Sequence, residues 1–179
     1  MSDVLVCGLG NSLRGDDGAG LAVLDALVES EFLPPDVALY NGSRSGLLTT
    51  LVTERYERVF VIDAVEMQQQ PGAWQRFDLD AAVFSPGDMR ANLSLHHASL
   101  PETLAIAQAL GVTLPQITLY GIQPQSVELA QGLSAPVAEA VRAVTQALLT
   151  AIHTKVETEY SVKLFSNLTT ETQSPQRRT

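Results

Sequence analysis

An acidic pair stands in the glycine-rich turn that follows the first apolar run of the chain. Val4–Cys7 predicts a buried strand, and residues 8–20, GLGNSLRGDDGAG, lead from it into a segment with helical apolar spacing. Such a turn typically binds phosphate through backbone N–H groups. Asp16 and Asp17 occupy the positions where a phosphate loop has Lys and Ser or Thr, and Leu13 replaces the third glycine of a dinucleotide loop. Two carboxylates repel phosphate, so the turn predicts a cation site.

Two further segments carry side chains that could complete this site. Asp63 directly follows the buried strand predicted at Val59–Ile62, where a lone carboxylate is costly without a partner. His96 and His97, two of the three histidines, stand in a polar loop before a predicted helix. Neighbouring side chains of an extended segment point to opposite sides, so the pattern leaves open which histidine faces the site. Two carboxylates and an imidazole suit a divalent metal such as nickel or zinc.

The two carboxylates of the acidic pair are expected to have different roles. We interpret Asp16 as a cap that accepts hydrogen bonds from the free N–H groups at the start of the following helix. Asp17 is then expected to point outward and to act as the ligand.

Alternating strand and helix signals predict the scaffold that positions these residues. We expect a single α/β domain over residues 1–153, with a twisted, mostly parallel sheet of about five strands and helices on both faces. The strands are predicted at Val4–Gly8, Val37–Tyr40, Val59–Ile62, Ala73–Phe77 (an edge strand) and Ile117–Ile122. The helices are predicted near Ala19–Glu29, Gly46–Thr53 and Leu100–Leu110, and from Ser134 onward. Residues 154–179 predict a polar, poorly ordered tail.

Composition limits the partners and the compartment. A net charge of -9 argues against nucleic acid and anionic membranes. The absence of a long apolar run and of a signal segment predicts a cytoplasmic protein without membrane insertion. Cys7 is the single cysteine and lies in the first apolar run, so we interpret it as a small buried hydrophobe and not as a nucleophile. The serine-hydrolase elbow and the His-Glu-x-x-His zinc motif are absent from the sequence.

These segments resemble the hydrogenase maturation endopeptidases, which remove a C-terminal extension from the large-subunit precursor of nickel–iron hydrogenases. Similarity covers nearly all of residues 3–150, and its motifs are GLGNSLRGDDG (8–18), VIDA (61–64), SLHHASL (94–100), LYGIQP (119–124) and LS (133–134). The resemblance implies a twisted α/β sheet flanked by helices. It also implies that Asp17, Asp63 and His96 form the metal site, which leaves Asp16 and His97 as secondary candidates. With a metal-carrying partner implied, the glycines of the turn are interpreted as leaving space for the metal and backbone of that partner.

One loop departs from the pattern of the family that the chain resembles. Many members have an Asp-Gly-Gly-Thr-like loop after the second strand, whereas this chain has Asn41, Gly42, Ser43 and Arg44. Asn41, Gly42 and Ser43 are the candidate substrate-binding residues. Asn41 lacks the usual charge and Arg44 adds a cation, so either the precursor differs or the site needs less negative charge.

The resemblance implies a specific function. The protein is expected to cleave the hydrogenase precursor after nickel insertion, with nickel as the recognition element and with Asp17, Asp63 and His96 as catalytic residues. Nickel then arrives with the substrate, no organic cofactor is needed, and a monomer is expected. The family is usually classed as aspartic-type, and metal-assisted and carboxylate-assisted hydrolysis both stay open. The alternatives are a non-proteolytic, nickel-sensing assembly chaperone and a metal-dependent small-molecule hydrolase.

Overall fold

A mostly parallel sheet forms the centre of the fold. The computed structural model describes residues 3–42, Thr50, 56–79, 94–95 and 99–170. The strands in this part of the chain are β1 (Val4–Gly8), β2 (Val37–Asn41), β3 (Arg58–Glu66), β4 (Trp74–Leu79), β5 (Ser94–Leu95) and β6 (Gln116–Ile122). The helices are α1 (Ala19–Val28), α2 (Ser99–Ala109) and α3 (Ala135–Thr170), and a short 3₁₀ helix (Gly15–Gly18) precedes α1.

The sheet has the strand order β2-β1-β3-β6-β4. The pairs β1–β2, β1–β3 and β3–β6 are parallel, whereas β4 runs antiparallel to β6 at the edge. The short β5 pairs antiparallel with the end of β3, at Val65 and Glu66. The central strands are buried over most of their length, and most of their residues are apolar because both of their faces are covered. The predicted α/β class, the mostly parallel sheet and the edge position of β4 are therefore confirmed.

Helices cover both faces of the sheet, as predicted. On one face, α2 contributes to a core cluster whose members include Leu5, Cys7, Val61, Leu100, Leu104 and Leu119. On the other face, α1 approaches β1 so closely that a Cβ atom on Gly8 would collide with the backbone of Gly20. Because strand side chains alternate, Cys7 and Gly8 face opposite helices.

One predicted boundary is wrong. Strand β3 does not end at Asp63 but continues to Glu66, because Asp63 pairs with Gly121 of β6 and the apolar residues after it are buried. Helix α3 includes the polar segment after residue 153 as far as Thr170, and neither proline nor glycine occurs between Pro136 and Pro175 to end it. Residues 171–179 lie outside the described residues, so the predicted poor order of the tail stays a prediction.

The chain divides into two compact units, Met1–Thr145 and Gln146–Thr179. All strands of the described residues lie in the first unit, and helix α3 continues from the first unit into the second. No helix in the described part of the chain is long and apolar enough to cross a membrane. Of the helix predicted near Gly46–Thr53, only Thr50 lies within the described residues, and it is helical.

Candidate active site

Two buried aspartates meet at the edge of the sheet where β1 ends. Asp17 lies in the 3₁₀ helix that follows β1 and is 1% exposed, while Asp63 lies in β3 and is 0% exposed. The turn after β1 is held against β3 because the Leu9 backbone N–H donates to the Ile62 carbonyl at 2.8 Å. The Asn11 backbone N–H donates to the Asp17 carbonyl at 3.2 Å, which closes the turn. Two of the three predicted site residues are therefore brought together.

The carboxyl group of Asp63 is unsatisfied by the protein. Neither of its oxygens has a hydrogen-bond partner among the described residues. Burial first, and the negative charge of Asp17 second, raise the pKa of Asp63 to about 8, although the nearby Ala64 backbone N–H opposes this shift. Asp63 therefore keeps its proton at neutral pH. A buried carboxyl group without partners is stabilised by either a proton or a cation.

Asp16 has a different role from the predicted helix cap. Its carboxylate accepts hydrogen bonds from the Gln125 N–H at 2.8 Å, the Ser126 N–H at 3.2 Å, and the Ser134 N–H and Oγ at 2.6 and 2.9 Å. Neither the 3₁₀ helix nor α1 has a side-chain cap. The capping prediction is wrong because Asp16 faces the loop between β6 and α3, whose free N–H groups it binds. Asp16 thus fastens the segment that carries Asp17 to this loop.

The turn itself is packed more tightly than predicted. Asp17 does not point outward, because the 3₁₀ helix folds back on the turn and buries its side chain. Gly10 has a φ angle of 119°, and a Cβ atom there would collide with the Asp17 carbonyl. At Gly20 a Cβ atom would collide with the carbonyl oxygens of Leu9 and Ile62. The expectation that the glycines leave space for a partner is wrong at these positions, since the chain's own backbone fills that space.

The histidine prediction falls on residues that the structure does not describe. His96 and His97 lie outside the described residues, and so do Ser43 and Arg44. Strand β5, which immediately precedes His96 in sequence, pairs with β3 just beyond Asp63. Within the described ranges, no cluster of three His, Cys, Asp or Glu side chains could hold a metal ion. The third member of the predicted set therefore stays a prediction.

The candidate substrate-binding segment begins at the same edge of the sheet. Asn41 ends β2 and pairs with Gly8 at the end of β1. The Gly42 backbone N–H then donates to the Gly8 carbonyl at 2.8 Å, so β2 and β1 stay together past the end of the strand. Asn41 is exposed and Gly42 is half-buried. Their substrate-binding role stays a prediction, and their location next to β1 is compatible with it.

The buried cysteine is not a nucleophile. Cys7 is fully buried, and burial, followed by the charge of Asp63, raises its pKa to about 12. A thiol with this pKa stays protonated at neutral pH and reacts slowly. The interpretation of Cys7 as a small buried hydrophobe is confirmed.

Two polar residues that support the site were not assigned roles from the sequence. Gln123 is buried, and its Oε1 accepts from the Met67 and Gln69 N–H groups at 2.7 and 3.2 Å. Its Nε2 donates to Glu66 at 3.0 Å, which ties the turn after β3 to the end of β6. Ser134 is the second such residue, as a partner of Asp16. Two sequence signals could have identified these residues. Gln123 is an amide directly after an apolar strand, and Ser134 stands two residues before the proline in the first turn of α3.

The chain is similar to known proteins over most of its length. A family model described as hydrogenase maturation protease (HycI) matches residues 22–151. The hydrogenase expression/formation protein HupD of Rhodobacter capsulatus is 34% identical over 126 residues, which are 70% of this chain and 59% of HupD. The chain therefore spans less than two thirds of the length of that relative.

Solved structures share both the fold and part of the sequence. The hydrogenase 2 maturation peptidase of a Thaumarchaeota archaeon has a TM-score of 0.64 and 32% identity, over 84% of this chain and 98% of that chain. The hydrogenase maturating endopeptidase HybD of Escherichia coli has a TM-score of 0.72 and 25% identity, over 87% and 94% of the two chains. Because the family model matches most of its length, this chain belongs to the hydrogenase maturation protease family.

Proposed function

We propose that this protein is an endopeptidase that removes the C-terminal extension of a nickel–iron hydrogenase large-subunit precursor. Nickel that the precursor already carries is the recognition element. The observation that carries the proposal is the carboxyl group of Asp63, which is 0% exposed, has no hydrogen-bond partner among the described residues and lies beside Asp17. Membership of the hydrogenase maturation protease family supports the reaction class and the substrate.

The unsatisfied carboxyl group supports contact with a cation. A buried, ionised carboxylate is strongly destabilising unless a cation or hydrogen-bond donors surround it. Asp63 and the neighbouring Asp17 provide carboxylate oxygens, and His96 is proposed to add an imidazole, a ligand set that suits nickel. The cation comes with the substrate, so the ionised form of Asp63 is stabilised only in the complex. In the free protein the buried carboxyl group is unfavourable.

Access to Asp17 and Asp63 requires movement of neighbouring segments. Asp17 and Asp63 are both buried, so a metal held by another protein reaches them only after neighbouring segments have shifted. Docking of the precursor is proposed to supply the free energy for this shift. A nickel-free precursor then docks less well, because it offers no cation to the carboxylates.

Asp17 also offers the proton transfer that hydrolysis needs. In the proposed step, a water oxygen bonds to the scissile carbonyl carbon while an Asp17 carboxylate oxygen takes the water proton. That proton passes to the nitrogen of the departing peptide as the C–N bond breaks. Asp63, His96 and the second carboxylate oxygen of Asp17 are proposed to hold the nickel of the substrate, which fixes the scissile bond relative to Asp17.

The decisive experiment mixes the protein with nickel-loaded and nickel-free precursor and measures the mass of the large subunit. We expect loss of a C-terminal peptide only from the nickel-loaded form. Asp17→Asn should abolish cleavage, whereas Asp25→Asn, at an exposed position of α1, should cleave at the wild-type rate. Equal cleavage of the nickel-free precursor would refute nickel recognition. An unchanged mass in a stable complex would favour a nickel-sensing assembly chaperone.

We further propose that the protein works as a monomer in the cytoplasm and without an organic cofactor. The chemistry above needs only side chains of one chain, the metal of the precursor and water. Analytical ultracentrifugation of the cleavage-competent protein checks the monomer, and full activity after extensive dialysis against a chelator checks that no resident metal or cofactor is required.

A further inference from the structure

We propose that Leu13 and Leu129 form an apolar docking surface, here named the leucine rim, on which the hydrogenase precursor sits. Both side chains are large, apolar and open to solvent, with exposed fractions of 61% for Leu13 and 80% for Leu129. They come from two loops far apart in sequence. The proposal rests on the proposed function for the identity of the occupant.

Backbone hydrogen bonds bring the two leucines to neighbouring positions. Arg14 and Ala130 form a parallel β-bridge, so Leu13 and Leu129 each stand one residue before the bridged pair. The Ala130 N–H donates to the Leu13 carbonyl at 3.2 Å, and the Gly15 N–H donates to the Ala130 carbonyl at 2.9 Å. The bridge depends on backbone atoms alone, so the leucine side chains are not needed to form it.

The leucine rim is continuous with the segment that carries Asp17. The Asp17 N–H donates to the Arg14 carbonyl at 3.1 Å, and the Leu13 N–H donates to the Asn11 side chain at 3.0 Å. The buried carboxylate of Asp16 fastens the same segment to the loop that carries Leu129. The backbone that carries the two leucines is therefore already ordered by the same contacts that hold Asp17 in place. Little conformational entropy is lost when a partner covers the leucines.

This position selects the precursor as the occupant. A protein that brings its own metal to Asp17 must cover the turn between β1 and α1, and the leucines lie on that turn and on the loop bonded to it. We therefore expect an apolar surface of the precursor next to its nickel site. Another exposed apolar pair lies at the far end of α1, roughly 13 Å or more along the helix axis from the acidic turn: Val28 is the last residue of the helix, and Phe32 follows it. That pair has no connection to the site and provides a matched control.

The test compares three double variants in binding and cleavage of the nickel-loaded precursor. In L13Q/L129Q we expect KM and Kd to rise by about tenfold or more, since each leucine loses an apolar contact with the partner. The kcat value should stay within about twofold, because Asp17 and Asp63 are unchanged. L13M/L129M, which keeps the apolar surface, should retain wild-type values. V28Q/F32Q, which removes a comparable exposed apolar pair elsewhere, should also match the wild type.

The outcomes distinguish a failure of the leucine rim from a failure of the proposed function. If the wild type cleaves and L13Q/L129Q binds and cleaves like V28Q/F32Q, the leucine rim is refuted while the peptidase stands. If the wild type binds the precursor without cleaving it, the Kd comparison alone decides, and a selective loss in L13Q/L129Q supports the surface without the peptidase. A wild type that neither binds nor cleaves the precursor overturns the surface together with the proposed function.

Discussion

Replacement of Asp63 by asparagine should change how the stability of the protein depends on pH. Asp63 is 0% exposed, and its pKa is raised from 3.8 to about 8, first by burial and then by the charge of Asp17. Between these two values the folded protein holds a proton that the unfolded chain has released. A rise in pH therefore favours the unfolded chain, and the stability contribution of this group falls from about pH 4 to about pH 8.

The size of the effect follows from the number of protons taken up on folding. One proton is taken up at every pH between 5 and 7, and each pH unit then lowers the free energy of unfolding by about 1.4 kcal/mol. The wild type should lose about 3 kcal/mol over these two units through Asp63. Asp63→Asn removes this contribution and keeps the others. The variant should gain this amount relative to the wild type between pH 5 and pH 7, although it loses peptidase activity.

Urea unfolding at a series of pH values measures the effect directly, since the linear extrapolation gives the free energy of unfolding at each pH. Asp25→Asn, an exposed substitution on α1, is the matched control and should follow the wild-type curve. Parallel curves for the wild type and Asp63→Asn would refute the reasoning. They would mean that Asp63 is ionised in the folded protein and that its carboxylate is already satisfied.

Further substitutions test the supports of the site. Asp16→Ala frees three backbone N–H groups and the Ser134 hydroxyl, so urea unfolding should show a loss of about 2–4 kcal/mol; Asp16→Asn should lose less because one oxygen remains. Gln123→Leu leaves two backbone N–H groups without their acceptor and should cost about 1–3 kcal/mol in the same measurement. Gly20→Ala places a Cβ atom against two carbonyl oxygens, and calorimetry should show a Tm lower by roughly 10 °C or more, or no folded protein. Cys7 should resist iodoacetamide at pH 8 in the native protein and react in urea, as mass spectrometry can show; rapid native alkylation would contradict its burial.

Much of the fold could be predicted because its signals are local. The apolar runs of β1, β3 and β6 and the helical spacing of α1 mark elements that are stabilised by burial, and all four are present. The end of β3 was misplaced because a polar residue usually closes a buried strand. Here Asp63 continues the ladder with Gly121, and that pairing depends on a strand from a distant part of the chain.

The sequence by itself determined the α/β class, the family resemblance and the presence of acidic residues in the turn after β1 and in β3. These features follow from composition, periodicity and motif, each of which is readable along the chain. The tertiary structure decided the role of each carboxylate. Asp16 binds the loop before α3, whereas Asp63 is left buried, unsatisfied and protonated beside Asp17. The hydrogen-bond partners of Asp16 come from segments more than a hundred residues away, and only folding brings those segments to the acidic turn.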